Sequence, residues 1–135
     1  MLSLFFFWKI TYQSNVLQYH MGFRHQVTSW PSNPVDHYIE TLSSYPAHTV
    51  IIDLGCGDAA LARALIPKGF TVFSYDLVSP NPYVVATDIC SSLPLPGAED
   101  RDEGQIVDIA VCSLSLMSTN WLDCIREVRR VLKTG

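Results

Sequence analysis

The chain has 135 residues, with nine Lys and Arg against thirteen Asp and Glu and a formal net charge of −4. That length excludes more than one domain, and 48% hydrophobic with 16% charged residues excludes a disordered tail. No basic stripe announces a nucleic-acid surface, so contact with RNA would have to be supplied mostly from elsewhere, and no apolar run reaches the roughly 20 residues of a membrane span.

The first ten residues hold a short apolar patch, Leu2, Leu4, Phe5, Phe6, Phe7 and Trp8. No positive residue precedes it and no small-residue cleavage site follows it, unlike a secretory signal. We set residues 1–17 apart as an atypical N-terminal segment, either a packing segment or a misplaced gene start. Val16 to Tyr45 reads as helical segments interrupted near Pro31 and Pro34. Pro34 opens the second helix with Asn33 as its cap, and Val35, Tyr38, Ile39 and Leu42 share one face. Pro46 ends it. Thr49–Leu54 is a β-branched apolar run without alternation, the mark of a strand buried on both faces of a parallel sheet. Gly55-Cys56-Gly57-Asp58 breaks it. Ala59–Ile66 reads as a helix stopped by Pro67 and Gly69. Phe70–Tyr75 is a second strand ending at Asp76, and Tyr83–Ala86 a short third ending near Asp88. Residues 91–105, rich in Pro, Gly and acid, form a loop. Ile106–Cys112 is a fourth strand. Ser118–Leu132 is a helix capped by Ser118, Thr119 or Asn120, with Trp121, Leu122, Ile125, Val128, Val131 and Leu132 as its apolar face. Alternating strands and helices predict an α/β fold with an open parallel sheet.

The four cysteines, Cys56, Cys90, Cys112 and Cys124, form no C-x-x-C pair, and no His stands at a zinc-ligand spacing from them. They read as reduced, buried thiols rather than a disulfide framework or a metal site.

The chemistry falls at the strand ends. Asp53-Leu54-Gly55-Cys56-Gly57 lies between a strand and a helix, where glycines let the backbone turn sharply and approach a ligand. The fuller dinucleotide pattern G-x-G-x-x-G fails at Ala60. The leading acid makes the segment D-x-G-x-G, the first signature of S-adenosylmethionine-dependent methyltransferases, whose cofactor offers an ammonium group and no pyrophosphate. Asp76 follows Gly55 by 21 residues, close to the spacing of about 20 at which an acid accepts ribose hydroxyls. Asp88 can accept from an adenine amino group while Ile89 covers the ring. Any one of these acids alone reads equally as a solvated loop residue; three at consecutive strand ends put acceptors along one crevice. NAD is the competing occupant, and Asp53 and Asp88 count against it. No Asn-Pro-Pro-Tyr or Asp-Pro-Pro-Tyr segment follows the fourth strand. Cys112 there has no visible activating partner and reads as packing rather than as a nucleophile, leaving the catalytic residues unassigned.

The segment Tyr19-His20-Met21-Gly22-Phe23-Arg24-His25-Gln26-Val27, then Trp30-Pro31 and Pro34-Val35-Asp36, resembles the ribosomal RNA-processing protein 8 (nucleomethylin) family. The resemblance continues through Asp53–Asp58, Asp76-Leu77, Asp88-Ile89, Leu114–Asn120 and Arg130–Lys133. It implies a Rossmann-like class I methyltransferase domain over residues 18–135, truncated after the N-terminal helices and first four strands. It implies methylation of adenine N1 in large-subunit ribosomal RNA, with S-adenosyl-L-methionine as cofactor, in the nucleus and nucleolus, with ribosome-assembly proteins as further partners. It adds His20 and Ser113 to a cofactor set of Asp53, Gly55, Gly57, Asp76, Asp88 and Ile89. Ile89 and Ser113 stand where family members often have Met and Cys, and residues 95–105 look longer and more acidic than is usual. Two other functions remain open: a non-catalytic cofactor-binding module in ribosome assembly or chromatin silencing, and an inactive truncated fragment.

Overall fold

The computed structural model describes residues 18–22, 24–98, 103–113 and 115–134. Residues 1–17, set apart above, lie outside them. The chain divides into two units at Asn33 and Pro34. In the first, residues 18–22 and 24–27 are helical and a turn follows at 28–29.

The second unit begins with α1, Pro34–Leu42, with Pro34 at the first turn, where a missing N–H costs nothing. The helix stops short of Pro46. The Ser43 and Ser44 hydroxyls donate to the carbonyls of Ile39 and Thr41, the local bonding by which such residues end helices. Leu42 is buried, whereas Tyr38, expected on the same face, is exposed.

Strand β1, Val50–Leu54, is buried from its second residue on, as a central parallel strand must be. Helix α2 is Ala60–Leu65, and a 3-10 turn, Ile66–Lys68, absorbs Pro67. Strands β2, Thr71–Asp76, β3, Val84–Ala86, and β4, Ile109–Val111, complete a four-stranded sheet in the order β3-β2-β1-β4. Every pairing is parallel.

Strand β4 is shorter than the apolar run 106–112 predicts. The Asp108 carboxylate accepts the Val50 N–H, taking the place of a ladder bond. Val107 then leaves β1 and bridges to Leu132, whose neighbour Lys133 donates its N–H to the Val107 carbonyl.

Helix α3, Trp121–Val131, starts later than expected, after a turn at 119–120. Asn120 holds the cap position, but no side chain caps the helix. Its buried side is Cys124 and Val131, with Val128 packed beside them. Trp121, Leu122 and Ile125 are 44, 52 and 41% exposed, a correction to the expected face: the helix is turned so that 124, 128 and 131, at i, i+4 and i+7, meet the sheet. The first part of the loop, residues 91–98, is more than a surface excursion. Leu93 is buried, and Arg130 donates to the carbonyls of Leu93, Leu95 and Gly97 while bridging to Glu127.

The sheet carries a core on each face. Ile52, Leu54 and Tyr75 pack with Leu93, Val107, Cys124 and Val131. Ile51 and Val111 pack with Leu42, Leu61, Leu65 and Phe70. Of the cysteines only Cys124 is fully buried, and none is in a disulfide; Cys56 and Cys90 sit in turns and Cys112 just past a strand, so the expectation of four buried thiols is corrected.

Candidate functional site

Because all four strands run parallel, their carboxyl ends share one edge. The order β3-β2-β1-β4 reverses between β1 and β4, and such a switch point opens a crevice at that edge. Asp53, Gly55 and Gly57 come to it from β1, Asp76 from β2, Asp88 and Ile89 from just past β3, and Ser113 from just past β4.

The turn after β1 is built of bonds to β2. The N–H groups of Gly55 and Cys56 both donate to the Tyr75 carbonyl, at 2.8 and 3.2 Å. The Gly57 N–H donates to Asp76 Oδ2 at 2.8 Å, and the Leu77 N–H to Asp76 Oδ1 at 2.7 Å. Sequence reasoning assigned these glycines to a ligand; the Gly55 amide is spent on the Tyr75 carbonyl and the Gly57 amide on the Asp76 carboxylate. A pyrophosphate needs such amides for itself, so this turn does not suit a dinucleotide. Gly55 has φ +74°, and a Cβ there would collide with the Ser115 side chain. The loop after β4 therefore closes onto the turn only because residue 55 is glycine. The approach joins two motifs that are 60 residues apart and gave no sign of contact in the sequence. Ala59, at the start of α2, also holds a left-handed backbone, φ 58°, which is uncommon for a residue with a Cβ.

Asp53 is 6% exposed and Asp76 5%. Burial, reinforced by the charge of Asp76, pushes the Asp53 carboxyl up to about 7. Burial likewise raises the Cys56 thiol, with Asp53 and Asp76 adding to it. It raises Cys112 as well, which fits packing and removes the thiolate a nucleophile needs. An acid this deeply buried is costly to ionise unless a positive group or hydrogen-bond donors meet it. Among the described residues Asp53 meets neither, whereas Asp76 has the amides of Gly57 and Leu77.

Asp88 is exposed, and its Oδ1 accepts the Cys90 N–H at 2.9 Å; taken by itself this is an Asx turn. The β3 exit is tied to β2 through the Thr87 N–H and the Asp76 carbonyl, 2.8 Å. Ile89 is half-buried against the α3-side core. Ser113 is half-buried. His20 belongs to the first unit, half-buried, with its ring edge-on to Tyr19 at 6.0 Å. Two further polar atoms that sequence reasoning missed, Ser74 Oγ and Ser115 Oγ, are buried without a hydrogen-bond partner. Among the described residues no group of His, Cys, Asp and Glu is arranged to hold a metal ion.

The chain is similar in sequence to known proteins over most of its length. The chain is 50% identical over 118 residues to ribosomal RNA-processing protein 8 of Dictyostelium discoideum, an overlap covering 87% of this chain and 28% of that protein. It is 44% identical over 126 residues to the 25S rRNA (adenine(645)-N(1))-methyltransferase of Schizosaccharomyces pombe, covering 87 and 37%. With ribosomal RNA-processing protein 8 of Arabidopsis thaliana it shares 44% over 115 residues, covering 85 and 36%. The chain thus spans between 28 and 37% of the length of these relatives. Residues 9–135 match the family model described as a hypothetical methyltransferase, Methyltransf_8, and over that nearly complete length the chain belongs to this methyltransferase family.

Proposed function

We propose that the chain supplies the S-adenosyl-L-methionine-binding part of a methyltransferase acting on adenine N1 in large-subunit ribosomal RNA. The observation that carries the reading is the buried Asp53 carboxylate, which meets no hydrogen-bond donor among the described residues, beside an Asp76 carboxylate fixed by two backbone amides. A cationic ammonium group fits the first and a pair of ribose hydroxyls the second. The relatives' names supply the substrate, and they favour ribosome assembly in the nucleus and nucleolus as the setting.

The cofactor's sulfonium supplies an electrophilic methyl group. Everything else is placement. Asp53 neutralises the ammonium, Asp76 accepts from the ribose, Asp88 accepts from the adenine amino group, and Ile89 lies on the ring. Gly55 lets the loop carrying Ser113 come close. Adenine N1 carries its own lone pair, so no covalent intermediate on the protein is needed. Alignment of N1 with the methyl carbon can contribute several kcal/mol, once the base is splayed from its helix. The chain's net charge of −4 leaves the electrostatic part of RNA affinity to other segments or partners.

The test is a chimera in which residues 18–135 replace the matching segment of the fission-yeast relative, with N1-methyladenosine read by mass spectrometry on large-subunit ribosomal RNA. Product formation that disappears in the Asp76→Ala chimera supports the reading. A well-folded chimera that binds RNA but yields no N1-methyladenosine contradicts it.

A further inference from the structure

One row across the sheet contains both a buried acid and an unspent donor. The register pairs Asp53 with Ser74 on β2 and with Val111 on β4. Paired residues of parallel strands point to the same face, and neighbouring strands lie about 4.8 Å apart, so a serine hydroxyl can swing to a carboxylate in the same row. Ser74 is 1% exposed and its Oγ has no hydrogen-bond partner. A buried hydroxyl left unsatisfied forfeits its hydration with no return. On its other side Asp53 meets Val111, which offers no donor.

We propose that Ser74 is a positioning residue for Asp53: its hydroxyl turns to donate a hydrogen bond to the ionised Asp53 carboxylate and holds it for the cationic end of a bound cofactor. This rests on the cofactor reading above. The titratable groups that face Asp53 are Asp76 from β2, the Cys56 thiol from the turn and the Cys112 thiol from just past β4. Helix α2 packs Ala59 and Ala62 against Val72 and Cys56, and its basic residue, Arg63, lies over the Tyr83 ring. Asp76 disfavours a negative charge on Asp53, and the two thiols, held protonated, carry no charge, so the Ser74 hydroxyl is the donor in that row able to favour it. The hydroxyl never touches the ligand; it acts through the carboxylate, whose ionisation decides whether a cation can seat.

The experiment follows the Asp53 side-chain carboxyl carbon by NMR against pH in the full chain, as wild type, Ser74→Ala and Ser74→Thr. S-adenosylhomocysteine affinity is measured on the same proteins at pH 6 and pH 9. Ser74→Ala is expected to raise the Asp53 midpoint by about one unit, which weakens binding about tenfold at pH 6 and leaves pH 9 unchanged. Ser74→Thr, which keeps the hydroxyl, restores both. A merely structural role for Ser74 would change affinity equally at both pH values and leave the carboxyl midpoint in place, and that result overturns the proposal. If wild type binds no S-adenosylhomocysteine at either pH, the cofactor reading fails, while the carboxyl titration without ligand still decides whether Ser74 acts on Asp53.

Discussion

Replacing Gly55 by alanine perturbs the turn after β1 where Ser115 approaches it. Two costs add. The backbone at φ +74° is strained for any residue with a Cβ, by about 1–2 kcal/mol. The new methyl would also collide with the Ser115 side chain, and overpacking of this kind costs about 1–3 kcal/mol. The sum, about 2–5 kcal/mol, is a large part of the roughly 5–15 kcal/mol that holds a domain of this size. A double-mutant cycle separates the two parts. Urea denaturation of wild type, Gly55→Ala, Ser115→Gly and the double variant gives the four free energies. In the Ser115→Gly background, where the colliding atoms are gone, the alanine is expected to cost only the backbone share. A Gly55→Ala cost below about 1 kcal/mol, or an equal cost in both backgrounds, would refute the claim that the loop after β4 closes on this glycine.

Three further outcomes follow from the same geometry. Asp53 holds its proton up to about pH 7 in the folded chain against an ordinary value of 3.8, so its contribution to stability is complete below pH 3.8 and is lost as pH rises to about 7; Asp53→Asn should match wild type near pH 4 and exceed it at pH 8 by about 4 kcal/mol, read by urea denaturation, and a constant difference across pH would refute this. Asp76→Ala should weaken S-adenosylhomocysteine binding by about 1–3 kcal/mol through lost charge-assisted hydrogen bonds, with calorimetry as the assay and unchanged affinity as the contrary result. Arg130→Met strips donors from the carbonyls of Leu93, Leu95 and Gly97 and leaves Glu127 half-buried without its cation; a loss of about 2–4 kcal/mol with faster amide exchange across residues 93–97 is expected, and unaltered exchange there would show that the clamp is idle.

The parallel sheet was legible because a strand buried on both faces leaves an apolar run without alternation, and Val50-Ile51-Ile52 is one. The acids were legible because they end such runs. What the sequence concealed came from partners distant along the chain. Asp108 takes the Val50 N–H and shortens β4, although residues 106–112 alone read as strand throughout. Trp121, Leu122 and Ile125 look like a buried face by spacing, but the choice between them and Cys124, Val128 and Val131 depends on how α3 meets the sheet. The amides of Gly55, Cys56 and Gly57 looked available to a ligand until Tyr75 and Asp76 were seen to take them. Ser74 carries no signal at all, because its importance lies in standing beside Asp53 across two strands.

The most direct test of the account is an amide NMR titration of the chain with S-adenosylhomocysteine, run beside NAD. The account predicts saturable shifts centred on Gly55, Gly57, Asp76 and Leu77 with S-adenosylhomocysteine and none with NAD. Shifts confined to other residues, or equal responses to the two ligands, would contradict it.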